Sequence, residues 1–144
     1  MASSFAERLE DVRDRIARAA ERSARTADAV TLIAVSKTHP ASAVAEALAA
    51  GVTDFGENRV QEGESKATEV PRATWHLIGP LQSNKARRSL KTFAVIETVG
   101  SVELATRLDA VLRQDEQVEP YPVLLQVNVR YKTRVALRFT GIPE

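Results

Sequence analysis

Short apolar runs recur along the chain, separated by stretches in which apolar residues return at helical spacing. Uncharged runs rich in β-branched and aliphatic residues are typical of buried strands, and the first run predicts a strand buried on both faces. The predicted strands are residues 31–35, 52–55, 74–78, 93–98 and 123–129. The first strand ends abruptly in Lys37, two polar residues and Pro40. The pattern therefore predicts five strands, with a lysine at the carboxyl end of the first.

The stretches between these strands, and the one that precedes them, predict helices. The apolar positions of the N-terminal helix are Phe5, Leu9, Val12 and Ile16. Ser3 or Ser4 is predicted to cap this helix, and Ser83 is one candidate cap for the helix after the third strand. Pro40 opens the next helix and Gly51 closes it, because proline suits a first helical turn and glycine the left-handed turn past a helix end.

Strands that alternate with helices predict repeated βα units and a parallel sheet, since right-handed crossovers allow little else. An open doubly wound sheet and part of a (β/α)₈ barrel both fit. The barrel is favoured because no glycine-rich dinucleotide loop follows the first strand. Val135, Leu137 and Phe139 alternate with other residues, which is compatible with a sixth strand. We predict an α/β protein with a partial (β/α)₈ TIM-barrel-like fold: about five or six parallel strands and an N-terminal helix in a single domain over residues 1–144.

Composition narrows the function classes further. The formal net charge of +1 gives no reason to expect nucleic acid or membrane as a partner. The chain has no cysteine, which excludes disulfides, a thiolate nucleophile and cysteine-ligated metals. His39 and His76 lie far apart without ligand spacing, so no metal site is expected. Acidic residues in the first 26 positions and the lack of a membrane-length apolar run argue against a targeting peptide and predict a cytoplasmic protein.

Parallel strands end at one edge of the sheet, so the polar residues near their carboxyl ends are expected to converge there. The predicted mouth is lined by Lys37, Asn58, His76, Gln82, Ser83, Asn84, Thr98 and Asn128. Such a mouth surrounds one central amine with hydrogen-bonding groups.

Several of these residues have two interpretations each. Lys37 either extends its ammonium into water or, when desolvated, presents a free amine that attacks a carbonyl group. His39 and His76 are either structural or acid–base groups, and Glu57 complements the N-terminal dipole of its helix. The basic run from Lys85 to Lys91 is either a solvated face or an anion site.

Three blocks carry a resemblance to a known family: Ala34-Val35-Ser36-Lys37-Thr38, Phe55-Gly56-Glu57-Asn58-Arg59-Val60-Gln61-Glu62 and Trp75-His76-Leu77-Ile78-Gly79-Pro80-Leu81-Gln82-Ser83-Asn84-Lys85. In order and spacing they resemble the pyridoxal 5′-phosphate homeostasis family, the YggS-like and PLPBP-like proteins. Gln126-Val127-Asn128-Val129 resembles the fifth-strand block of that family.

The resemblance implies a single barrel related to the alanine racemase N-terminal domain, with pyridoxal phosphate held as a Schiff base on Lys37. Asn58, His76, Gln82, Ser83 and Asn84 would line the cofactor pocket, and no residue is assigned a catalytic role. The implied function is cofactor homeostasis or delivery without established turnover, with pyridoxal-phosphate-dependent apoenzymes as recipients. A reversible imine needs a primary amine, and a carrier does not need the second acid–base group that racemisation requires.

The resemblance stops near Arg130, and residues 130–144 have a different character. The family's late strands and phosphate-holding loops have no counterpart there, so we expect a member truncated after the fifth strand or frame-shifted, which keeps Lys37 but lacks the phosphate anchor. Two alternatives stay open. One is a pyridoxal-phosphate-dependent enzyme resembling an amino-acid racemase, and the other is a truncated remnant that does not bind the cofactor.

Overall fold

The computed structural model describes residues 4–129 and 133–139, and of residues 128, 129 and 133–139 it describes the backbone only. The helices of this part are α1 (Phe5–Arg22), α2 (Ala41–Ala49), α3 (Val60–Glu69), α4 (Ala86–Thr92) and α5 (Val102–Gln114). The strands are β1 (Ile33–Val35), β2 (Asp54–Glu57), β3 (Thr74–Leu77), β4 (Val95–Val99), β5 (Val123–Val129) and β6 (Thr133–Phe139). Short 3₁₀ helices span Ala27–Ala29 and Ser83–Lys85.

The strands form one sheet in chain order from β1 to β6. The pairs from β1 to β5 are parallel, which confirms the predicted βα architecture. β6 pairs with β5 in the antiparallel direction, so five strands of this sheet are parallel and the sixth is not. The physical reason is the short connection: residues 130–132 are too few for the crossover that a parallel neighbour requires. The other residues of the divergent tail, 130–132 and 140–144, lie outside the described part.

Local sequence signals set several helix ends. Of the two predicted caps for α1, Ser4 is used: its hydroxyl accepts a hydrogen bond from the Glu7 N–H (3.2 Å), and its own N–H donates to the Glu7 carboxylate (2.7 Å). Gly51 follows α2 with a φ of +91°, the left-handed conformation predicted for it. The candidate cap at Ser83 is wrong, because Ser83 lies in a 3₁₀ helix and α4 begins three residues later, at Ala86.

The main hydrophobic core lies between the helices and one face of the sheet. Phe55 of β2 and Trp75 of β3 pack side by side there, with ring centroids 5.8 Å apart. The neighbouring side chains of Leu77, Ile96 and Val111 are completely buried or nearly so. Residues from α2, α3, α4 and α5 complete the same cluster, so this face is covered as in other α/β layers.

The opposite face of the sheet, which we call the inner face, carries Ile33, Val35, Gly56 and His76. Gly56 pairs with Val35 on one side and with His76 on the other. A Cβ atom on Gly56 would lie 3.3 Å from the Ile33 side chain, which places these residues on one surface. Val35 is 51% exposed. The prediction that the first strand is buried on both faces is therefore wrong at Val35, because the helices of the described part cover the other face.

Candidate functional site

The loops after β1, β2 and β3 meet the end of β4 at one edge of the sheet. The Ser36 N–H donates to the Gly56 carbonyl (3.1 Å) and so extends the ladder between β1 and β2. A Cβ atom on Gly79 would lie 2.2 Å from the Asn58 carbonyl oxygen, so the two loops approach as closely as only glycine allows. The Thr98 hydroxyl donates to the Gly79 carbonyl (2.7 Å). The strand ends therefore converge, as a parallel sheet predicts.

Lys37 lies in a tight turn directly after β1. The turn is closed by the His39 N–H, which donates to the Ser36 carbonyl (3.0 Å). Thr38 has a φ of +67°, a left-handed conformation that costs a β-branched residue free energy. The Lys37 side chain is exposed and has no hydrogen-bond or ion-pair partner among the residues that the structure describes. The turn thus presents a primary amine at the carboxyl edge of the sheet, although the burial expected of a desolvated amine is not supplied by these residues.

A buried polar cluster, which we call the Glu57–Lys66 cluster, lies beneath this turn on the helix side. Lys66 of α3 donates to the Glu57 carboxylate (2.5 Å) and to the Ser36 carbonyl (2.8 Å). The Ser36 hydroxyl donates to the same carboxylate oxygen (2.7 Å). Glu57 is completely buried and Lys66 is 8% exposed. The cluster therefore connects the residue before Lys37 to β2 and α3 from a buried position.

Asn58 and Gln82 line a common cleft of about 800 Å³, together with Lys85. Asn58 is half-buried, whereas Gln82, Ser83 and Asn84 are exposed. Ser83 and Asn84 occupy the 3₁₀ helix next to the cleft without lining it. Lys37 does not line this cleft either. Of the predicted pocket residues, the structure thus groups Asn58 with Gln82 and places Ser83 and Asn84 beside them.

His76 lies within β3, as the strand predicted over residues 74–78 implies, and its side chain is on the inner face. Its Nδ1 hydrogen-bonds to the Glu97 carboxylate and its Nε2 to the Asp54 carboxylate, both at 2.9 Å. Burial of the ring opposes its charged form, but the two carboxylates outweigh that effect and raise the pKa of His76 above its ordinary value. We call this group the Asp54–His76–Glu97 cluster. It occupies the inner face and leaves neither ring nitrogen free.

Sequence reasoning missed the partners in both clusters. Lysines are rarely buried, so the residue type of Lys66 predicts exposure, although Lys66 follows Val60 and Gly63 at helical spacing on the buried face of α3. The sequence suggests only a helix-dipole role for Glu57, whereas its carboxylate accepts hydrogen bonds from Ser36 and Lys66. Asp54 shares the parity of Gly56 in β2 and therefore lies on the inner face. This alternation along β2 is the sequence signal that points to the contact between Asp54 and His76.

The remaining candidates are accounted for by their surroundings. His39 is exposed, and the Asn128 side chain lies outside the described residues. In the basic run, Arg87 pairs with Asp115 and Arg88 with Glu64, which favours a solvated face over an anion site for these two. Within residues 4–127 no group of histidine and carboxylate side chains is arranged to hold a metal ion. No described helix combines the length and the apolar character needed to cross a membrane.

Comparison with known proteins supports the family resemblance carried by the sequence blocks. The alanine racemase N-terminal domain family matches residues 8–135. The pyridoxal phosphate homeostasis protein of Escherichia coli K12 is 44% identical over 132 residues, which are 88% of this chain and 56% of that protein. PipY of Synechococcus elongatus PCC7942, solved with pyridoxal phosphate bound, is 46% identical with a TM-score of 0.66, and the likeness covers 78% of this chain and 50% of PipY.

The structure of PipY solved without the cofactor gives a TM-score of 0.67. The chain spans about half the length of the relatives it matches. The likeness in fold agrees with the likeness in sequence, and it identifies the five parallel strands as part of a (β/α)₈ barrel-like fold. The chain belongs to the alanine racemase N-terminal domain family and is related within it to the pyridoxal phosphate homeostasis proteins.

Proposed function

We propose that this chain binds pyridoxal 5′-phosphate through a Schiff base on Lys37 and serves in cofactor homeostasis as a carrier. The observation that carries the proposal is the turn after β1. It presents the Lys37 amine at the carboxyl edge of the sheet, exposed and without a partner among the described residues. The relatives support the choice of cofactor: the Escherichia coli protein is named for pyridoxal phosphate homeostasis, and PipY was solved with pyridoxal phosphate bound.

The donor set at this edge fits such a cofactor. When bound, pyridoxal phosphate supplies an aldehyde, with which a primary amine condenses reversibly. Asn58 and Gln82 offer amide donors and acceptors in one cleft, and Lys85 adds a cation there that complements a phosphate group. Ser83 and Asn84 add exposed polar groups beside this cleft.

His76 would contribute to the pocket in a different way. Both of its ring nitrogens bond carboxylates, so it has none left to offer a ligand. Its part is to hold the inner face below the edge in a fixed shape. This arrangement suits binding more than proton transfer, and delivery to pyridoxal-phosphate-dependent apoenzymes needs only reversible attachment.

The test is a spectral titration of the purified chain with pyridoxal phosphate, followed by borohydride reduction and peptide mapping. The expected adduct lies on the peptide that contains Lys37, and Lys37→Ala abolishes it. Lys91→Ala is the matched control, because Lys91 is also exposed and lies on α4, and it should trap as much cofactor as the unmodified chain. An adduct that survives Lys37→Ala, or none in the unmodified chain, would refute the proposal.

Racemisation is the competing function, favoured by the family to which the chain belongs. Incubation with L-alanine and pyridoxal phosphate distinguishes the two. A carrier leaves the enantiomer unchanged, whereas formation of D-alanine that depends on Lys37 would replace the carrier role with an enzymatic one. Absence of both an adduct and D-alanine would favour a chain that does not bind the cofactor.

A further inference from the structure

We propose that Lys66 and Glu57 are positioning residues that hold the turn bearing Lys37 in place. The inference rests on the proposed function of Lys37. It concerns the residues on which the placement of the Lys37 amine depends. Lys66 is separated from Ser36 by 30 positions in the sequence, yet its ammonium donates directly to the Ser36 carbonyl (2.8 Å). Ser36 is the first residue of the turn, so this bond acts on the backbone immediately before Lys37.

The Ser36 carbonyl accepts two hydrogen bonds, which together define the turn. One comes from the His39 N–H (3.0 Å) and closes the turn from within. The other comes from Lys66 and fixes the same oxygen from α3. A charged donor forms a stronger bond than a neutral one, and the burial of Lys66 excludes water that would compete for the oxygen.

The backbone after Lys37 also needs support from its surroundings. Thr38 has a φ of +67°, which is unfavourable for a β-branched side chain. Such a conformation persists only where neighbouring contacts determine it, and it occurs most often at functional sites. The start of this turn is anchored by the two bonds to the Ser36 carbonyl, by the bond from the Ser36 N–H to the Gly56 carbonyl and by the bond from the Ser36 hydroxyl to Glu57.

Stability alone does not explain the Glu57–Lys66 cluster. Burying a carboxylate and an ammonium costs solvation free energy that their attraction often fails to recover. The second carboxylate oxygen of Glu57 is buried and has no hydrogen-bond partner among the described residues. A packed apolar pair would avoid this cost, so retention of the charges is better explained by the polar carbonyl and hydroxyl of Ser36 that they hold.

The helix α3 provides a matched control for the same kind of interaction. Glu64 lies two residues before Lys66 and pairs with Arg88 of α4, but this pair is on the surface. Glu64→Gln therefore removes an ion pair from the same helix without touching the turn. Lys66→Met removes the donor to Ser36, and the double substitution Glu57→Gln/Lys66→Met removes it without leaving a buried charge.

The first measurement needs no cofactor: amide hydrogen exchange at the His39 N–H, which reports on the turn. We expect about tenfold faster exchange in the double variant, since a hydrogen bond to a charged group has been lost, and no change in Glu64→Gln. Melting temperatures of all variants are measured alongside. Faster exchange confined to the turn supports positioning, whereas exchange that rises uniformly with lower stability, or does not rise, overturns it.

The second measurement is the circular dichroism induced in the bound cofactor, divided by the amount trapped on Lys37. A cofactor fixed in one asymmetric geometry gives a strong signal per adduct, and a loosened turn should lower this ratio several-fold. Partial unfolding would instead lower signal and adduct together. If the unmodified chain traps no cofactor while exchange at His39 responds as expected, the proposed function fails and the positioning of the turn stands. If it traps cofactor while exchange and the dichroism ratio are unchanged in the double variant, the positioning proposal fails.

Discussion

The two faces of the sheet each carry a polar cluster built partly from β2, and the two clusters differ in kind. Glu57 points to the helix side, where it pairs with a lysine that is 8% exposed. Asp54, three residues earlier in the same strand, lies on the inner face and bonds a histidine. The odd spacing sends the two carboxylates to opposite faces because side chains alternate along a strand.

The two clusters contain different chemical groups and connect different parts of the fold. The Glu57–Lys66 cluster joins three elements by hydrogen bonds, since Lys66 of α3 binds both Glu57 of β2 and the Ser36 carbonyl after β1. The Asp54–His76–Glu97 cluster contains a histidine whose pKa is raised because its two carboxylate partners outweigh the effect of burial, so the charge of this cluster changes with pH. One cluster sets geometry, and the other makes the stability of the inner face depend on pH.

The largest loss of stability is expected from removing one partner of the buried Glu57–Lys66 ion pair. Lys66→Met leaves the Glu57 carboxylate buried without its counter-charge, and loss of one partner of a buried pair typically costs about 3–5 kcal/mol. Urea unfolding followed by circular dichroism measures the loss. The double variant Glu57→Gln/Lys66→Met should recover most of it, and a double variant as unstable as the single one would contradict the assignment.

A second way to disturb the Glu57–Lys66 cluster is to displace α3, the helix that carries Lys66. Gly63 lies on the buried side of α3, and a Cβ atom there would approach the Phe93 ring to 2.3 Å. Gly63→Ala should destabilise the chain by about 2 kcal/mol through overpacking, despite alanine's better helix propensity. The same unfolding assay detects this. The NMR titration of His76 should be unaffected, since the inner face lies across the sheet, and a shifted titration would show that the two clusters are coupled.

A substitution of His76 in the Asp54–His76–Glu97 cluster should reduce stability by a smaller amount, and this loss should depend on pH. Because the folded-state pKa of His76 is raised above 6.5, its protonated form stabilises the fold fully below pH 6.5, and that contribution is lost as the pH rises through the raised value. His76→Gln should cost about 1.5 kcal/mol at pH 6 and clearly less at pH 9. Unfolding free energies over this range test the sign. A variant that loses as much stability at pH 9 as at pH 6 would show that His76 does not stabilise through its charge.

The sequence could predict much of the fold because its signals are local. β-branched runs marked the five parallel strands, and Ser4 and Gly51 marked helix ends. The direction of β6 was missed because residue alternation indicates a strand without giving its orientation. Exposure of Val35 was missed because an apolar run does not say whether both faces of the sheet are covered.

The site was predictable only in part, for a related reason. Lys37 and Asn58 follow strands, so their place at the carboxyl edge follows from parallel topology alone. Lys66 reaches the same turn from a helix, and exposure is the ordinary expectation for a lysine. The left-handed conformation of Thr38 could not be predicted either, because threonine rarely adopts it and tertiary contacts must impose it.

The smallest effect is expected from a substitution of Thr38. It tests whether the turn is held by the conformation of Thr38 or by the Glu57–Lys66 cluster. Thr38→Gly relieves the unfavourable φ of +67°, but glycine also gains entropy in the unfolded chain, so the net change in stability should stay within about 0.5 kcal/mol. Amide exchange at His39 should still be slow, because Lys66 continues to hold the Ser36 carbonyl. If the Glu57–Lys66 cluster is the anchor, releasing the strain leaves the turn in place, whereas fast exchange in Thr38→Gly would assign the rigidity of the turn to the threonine side chain instead.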